Sequence, residues 1–321
     1  MINHEEIILS TWALGPTFRK QLKENLLKLL EYKETFKFVI LTDHVADFLD
    51  IMILSSGKCL EVLDINEQRK GNAWSFENEP IAEGLTDEEY TINFRQLISQ
   101  GKGFSYSLHR FSLKWILNEG YTKVLFIDPD VHLQLSRDGS SLQDFVNWYL
   151  PDYPNSVIGG GMSVINAQIN IDYFNYLKEE VNIHVPQPEN FSYTDGPIRF
   201  WNFKSTRAFK KFLKIWDKGL EVQHNHTILH NGCKGGVFVN DETLFGAIYA
   251  ILEMKVYPIN HRACEIVHRI ENRHFMPSWG NYKLYVNQKE FIKGNMEELK
   301  NHYENQNHKF DLDDEGNIKL S

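Results

Sequence analysis

The stretch Lys123-Val124-Leu125-Phe126-Ile127-Asp128-Pro129-Asp130 constrains the fold of this 321-residue chain more than any other. Four consecutive apolar residues, Val124 to Ile127, suit a strand buried on both faces, and such strands belong to parallel sheets covered by helices. The run stops abruptly at an acid. Because side chains alternate along an extended chain, Asp128 and Asp130 project to the same side and bring two carboxylates to one point at the sheet edge. That pair is costly without a cation; a hard divalent ion with oxygen ligands, Mn²⁺ or Mg²⁺, would neutralise both. Pro129 fits between them because a strand terminus can spare its N–H. The same three residues also suit a plain turn, since Asp and Pro are ordinary turn formers.

The flanking sequence agrees with an α/β class, a mostly parallel central sheet flanked by helices with a C-terminal helical extension. Ile7 to Leu14 reads as a buried first strand, Phe18 to Tyr32 as the helix after it, and Phe36 to Leu41 as a second strand closed by Thr42 and Asp43. A shorter strand is expected at Cys59 to Ile65. Thr86-Asp87-Glu88-Glu89 looks like a capping box opening a helix to about Ser99, and Phe104 to Asn118 reads as a helix stopped by Gly120. Phe209, Phe212, Leu213 and Trp216 recur at helical spacing, with Lys204, Arg207, Lys210, Lys211 and Lys214 interleaved. This stretch reads as a helix with solvated lysines or as a surface that also meets an anionic acceptor. Gln288 to Tyr303 is expected to be an amphipathic helix, and Asp311 to Ser321 an acidic, turn-bearing tail. One main domain over 1–285, divided into a nucleotide-binding half (1–133) and an acceptor half (134–285), followed by a helix and tail over 286–321, is the organisation expected.

A chain that is 42% hydrophobic and 13% aromatic can bury at least one large core. Its net charge of −9 argues against a general phosphate-binding surface. Cys59, Cys233 and Cys264 are odd in number and scattered, which fits neither a disulfide framework nor a zinc site. The acidic N-terminus does not look like a secretory leader, and no run reaches the roughly 18 apolar residues of a membrane span. The expectation is a soluble, cytoplasmic protein, bacterial or phage-encoded.

Tyr121 to Val131 resembles the Asp-x-Asp strand of glycosyltransferases with the Rossmann-like A-type (GT-A) fold, closest to retaining enzymes of the glycogenin and lipopolysaccharide galactosyltransferase kind, and similar in parts to the blood-group transferases. Three further segments follow in the family's order. Tyr193 to Phe203 is similar to a strand that faces the sugar, with Asp195 standing near the family's Asn. Asn240-Asp241-Glu242-Thr243 resembles the element on the sugar's β-face and puts Glu242 at the candidate nucleophile position. Glu265-Ile266-Val267-His268-Arg269 resembles the late strand whose His completes the metal shell, a role for which His274 competes. The resemblance also places Arg110 on the donor, and Thr11, Trp12 and Asp43 near the base and ribose.

The resemblance therefore implies a metal-dependent glycosyltransferase using a nucleoside-diphosphate sugar, UDP-linked in the family's pattern, with Asp128, Asp130 and His268 as metal ligands and Mn²⁺ or Mg²⁺ as cofactor. Asp195, Asp241 and Glu242 are the catalytic candidates: a carboxylate near the anomeric carbon for retention, or a base for inversion. A glycan, a lipid-linked sugar or a hydroxymethylated DNA base could accept the sugar. For DNA, Arg262, Arg269, Arg273 and the region from Arg199 to Lys214 would touch phosphate. Two other classes compete: a metal-dependent phosphohydrolase using the same aspartates, and a non-catalytic sugar-binding protein. Against the first, Val131-His132 follows the aspartates where Gly-Thr would be expected.

Overall fold

Seven strands form one mixed sheet in the computed structural model, which describes residues 6–31, 36–71, 108–129, 131–133, 154–165, 168–225, 241–258, 282–284, 310–312 and 318–320. The first half contains β1 (Ile7–Ala13), α1 (Pro16–Glu31), β2 (Lys37–Thr42), a 3₁₀ turn (Val45–Phe48), α2 (Leu49–Leu54), β3 (Cys59–Asp64), α3 (Ile65–Gln68), α4 (Arg110–Asn118) and β4 (Lys123–Ile127). The second half adds β5 (Val131–Leu133), β6 (Ser156–Ile165), α5 (Gln168–Glu180), β7 (Phe191–Asn202), α6 (Thr206–Asn225), α7 (Asp241–Ile251) and β8 (Lys255–Pro258). Strand β9 (Tyr282–Leu284) pairs in parallel with β5, and β10 (Phe310–Leu312) pairs antiparallel with β11 (Ile318–Leu320). The acidic tail thus carries a short ladder that its turn residues alone did not reveal.

The sheet order is β3-β2-β1-β4-β7-β6-β8. All run the same way except β7, which opposes both β4 and β6. Both faces are covered, and alternation divides each strand between two cores. Ile8, Val39, Leu41, Val124, Phe126, Val157 and Trp201 face α4, α5, α6 and α7, whereas Leu9, Phe38, Ile40, Leu125, Ile127, Ile158 and Phe200 face α1. This is why the sequence shows unbroken apolar runs rather than an apolar-polar rhythm.

Helix boundaries follow local chemistry. At the end of α4, Gly120 takes φ 88°, its N–H reaches the Leu117 carbonyl at 2.9 Å, and the Tyr121 N–H reaches Ile116 at 3.2 Å. That pair of bonds is a Schellman stop, which needs a left-handed residue at glycine's position. In α6, Phe209, Phe212, Leu213 and Trp216 are buried while Lys204, Arg207, Lys210, Lys211 and Lys214 are exposed along this stretch, as helical spacing predicts. The expected helix at 86–99, the late strand at Glu265 to Arg269 and the helix at 288–303 lie outside the described residues. No described helix is long and apolar enough to cross a membrane.

Helices α5, α6 and α7 meet at Gly219. The Tyr173 hydroxyl donates to the Gly219 carbonyl at 3.0 Å, and a Cβ on Gly219 would stand 2.3 Å from Leu244 Cδ1 and 2.8 Å from Tyr173 Oη. Gly219→Ala must therefore push α7 or Tyr173 aside. It is expected to destabilise the protein by about 1–3 kcal/mol in urea unfolding, despite alanine's better helix propensity. A gain in stability would show that the contact yields freely.

Strand β7 has a bulge. Gly159 pairs with Arg199 but Gly161 pairs with Asp195, so Gly196, Pro197 and Ile198 stand against a single β6 residue, Gly160. Proline has no N–H for the ladder, and an irregular strand position accommodates it.

Candidate functional site

The chain moves outward from β1 to β2 and β3, then returns to β4 on the opposite side of β1. Helix α1 covers one face and α4 the other, so the strand order reverses between β1 and β4, the place where open α/β sheets bind ligands at their carboxyl ends. Thr11 is paired with Ile127, and one residue further along Trp12 and Asp128 stand side by side. The Trp12 indole N–H donates to Asp128 Oδ1 at 2.9 Å. Beneath them, Ser10 and Ser112 share a buried hydroxyl hydrogen bond of 2.7 Å, which ties β1 to α4. His109, just before α4, is buried with its ring stacked on Phe126 at 4.2 Å and tilted against Trp12 at 6.3 Å. The indole therefore has a wall behind it and an acid in front.

Thr11 precedes Trp12 on β1, and Asp43 follows Thr42, the residue of β2 paired with Ala13. Thr11 is buried, and its Oγ1 has no hydrogen-bond partner among the described residues. The Asp43 side chain is fully buried, with Oδ2 accepting the Gly15 N–H at 3.1 Å and Oδ1 accepting from Arg19 Nη1 at 2.7 Å. Arg19 also bonds Asp47 through Nε at 2.6 Å. Asp43 thus fastens the turn between β1 and α1. Sequence reasoning placed it at a strand end but missed Arg19, whose position one helical turn inside α1 was the available signal.

Arg110 opens α4 and is also buried; its Nη2 donates to Asp217 Oδ2 on α6. Burial pushes the Asp217 carboxyl above its ordinary value of 3.8, and Arg110 and Lys114 only partly oppose this. The folded state therefore holds that proton more tightly than the unfolded chain. Its contribution to stability is present below pH 3.8 and is lost as pH rises through the raised value. Asp217→Asn is expected to flatten the decline of stability with rising pH above 3.8, measured by urea midpoints across pH. An unchanged slope would refute this.

Three other candidates reach the same end of the sheet by backbone placement. Strand β7 runs downward, with Ile198 paired to Ile127, so Asp195 lies three residues past the end of β4. Helix α7 leads into β8, which runs parallel to β6, so α7 starts at that same end. Asp241 and Glu242 are its first two residues. One turn later Phe245 sits under Arg199, whose guanidinium is 4.8 Å from the ring centroid. Arg199 is buried, unlike the exposed basic residues that follow it. Asp130, His268 and His274 lie outside the described residues. Among the described residues, no three His, Cys, Asp or Glu side chains are grouped to hold a metal.

These features define an α/β protein with a carboxylate, Asp128, at the topological switch point of its sheet. No family model matches the chain, and no curated protein matches it. Among solved structures it is similar to the galactosyltransferase LgtC in complex with donor and acceptor sugar analogues, at 13% identity and a TM-score of 0.39, covering 89% of this chain and 88% of that one. It is also similar to the active-site mutant Q189E of LgtC, at 14% identity and a TM-score of 0.36, covering 84% and 80%. A third similar structure is the apo form of the bifunctional glycosyltransferase WbbM, at 13% identity and a TM-score of 0.34 over 80% of this chain. The chain spans 39% of the WbbM chain's length.

Proposed function

We propose that this chain is a metal-dependent glycosyltransferase that takes a sugar from a nucleoside-diphosphate donor, UDP-linked, and passes it to a glycan hydroxyl. The observation that carries the reading is Asp128 at the carboxyl end of β4, beside the switch point and bonded to Trp12. A switch point of this topology suits a nucleotide, and the Asp-x-Asp resemblance of Tyr121 to Val131 adds the diphosphate.

The partly exposed Asp128 carboxylate is a hard oxygen ligand at an open strand end, which suits Mn²⁺ or Mg²⁺. Asp128 would hold the ion, with Asp130 and His268 as the further ligands expected from sequence. When bound, the ion would supply Lewis acidity to the departing diphosphate. Trp12, at the end of β1, stands among the residues that the resemblance assigns to the donor. Thr11, Asp43 and Arg110, all buried, are the further donor-side residues that the resemblance assigns. Glu242 or Asp195 serves the anomeric carbon in a retaining reaction; in an inverting one, Asp241 or Glu242 takes the acceptor's proton. Incubation with a panel of nucleotide sugars and Mn²⁺ tests the proposal through release of UDP. Phosphate release from simple esters, without UDP release, would favour a phosphohydrolase instead.

A further inference from the structure

Trp12 is an unusual neighbour for an acid at a strand end. Strands β1 and β4 are parallel and adjacent, and Ile8, Val124 and Phe126 set the face on which Trp12 and Asp128 follow. Trp12 packs against that core, and the tilted His109 ring restricts its swing. His109 is itself fixed between Phe126 at 4.2 Å and Trp216 at 5.1 Å. A packed donor thus meets the carboxylate at the end of β4 at 2.9 Å. Hydrogen bonds to a charged acceptor are strong, and partners of this kind set the orientation of metal-binding groups.

We infer that Trp12 is a positioning residue, its indole N–H holding the Asp128 carboxylate in the orientation that receives a divalent cation. The inference rests on the reading of Asp128 as a metal ligand. Trp12 acts through Asp128, so replacing it weakens cation binding while leaving the ligand itself in place. Trp12→Phe keeps an aromatic ring on β1 and removes the N–H together with the five-membered half of the indole.

Titration of the full chain with Mn²⁺ in the presence of UDP, followed by calorimetry, is expected to show binding about 10–100-fold weaker in Trp12→Phe than in wild type. Fluorine NMR of protein labelled with 5-fluorotryptophan supplies a second readout independent of activity. Of seven tryptophan resonances, the one missing in Trp12→Phe belongs to Trp12. It should shift in Asp128→Ala and broaden when paramagnetic Mn²⁺ binds the wild type. Equal or tighter Mn²⁺ binding by Trp12→Phe would overturn the inference while leaving the glycosyltransferase reading intact. A Trp12 resonance indifferent to bound Mn²⁺ would do the same. Wild-type protein that binds no Mn²⁺ with UDP would overturn both. If Trp12→Phe does not fold, the wild-type and Asp128→Ala spectra decide the matter.

Discussion

Asp128→Asn is expected to lower UDP release from the preferred donor by about 100- to 1,000-fold, the scale seen when one preorganised stabilising group leaves an active site. The substitution keeps the shape of the side chain and an oxygen for the Trp12 N–H, bonded at 2.9 Å in the wild type. What it removes is the negative charge. If that charge holds the cation that steadies the leaving diphosphate, the loss should fall on kcat as well as on metal affinity. Raising Mn²⁺ should recover only part of it. Because Asp128 is partly exposed, the variant should unfold near the wild-type urea midpoint. Wild-type turnover in this variant would remove Asp128 from the mechanism and with it the proposed function.

The second large effect is structural. Trp201 lies on β7, is fully buried, and donates from Nε1 to the Tyr249 hydroxyl of α7 at 3.1 Å. Its ring stands among His109, Phe126, Phe212, Trp216 and Phe245 at centroid distances from 6.0 to 6.5 Å. Trp201→Ala is expected to destabilise the protein by about 3–5 kcal/mol, through the cavity it leaves and the lost hydrogen bond to the Tyr249 hydroxyl. Trp201→Phe should cost much less, since it fills most of the space. Chemical unfolding of both variants separates the two contributions; equal losses would place the energy in the hydrogen bond rather than in the packing.

Legibility of the sequence differed by element. The strands around the switch point were readable because burial on both faces leaves uninterrupted apolar runs, as at Val39 to Leu41 and Val124 to Ile127. Gly120 was readable because a left-handed helix stop favours one residue type. The start of α7 at Asp241 was readable from its capping residues. By contrast, β6 passes through Gly159, Gly160 and Gly161, which carry no hydrophobic rhythm to mark a strand. The reversed direction of β7 was also hidden, since an alternation pattern does not record which way a strand runs. At the site, strand ends could be located but not the partners of their side chains. The bond from Arg110 to Asp217 spans 107 residues and that from Trp12 to Asp128 spans 116. Long-range pairings of this kind leave no local mark in a single sequence.

That separation has a consequence for synthesis. A chain emerging from the ribosome as far as β3 already contains the tryptophan and three neighbouring strands, but its acid has not yet been made. Closing so long a loop is the slow, entropically expensive part of assembling such a topology. If Asp128 holds the cation, capture should appear only once β4 docks beside β1, and an amino-terminal fragment ending before residue 123 should bind manganese far more weakly than the full chain.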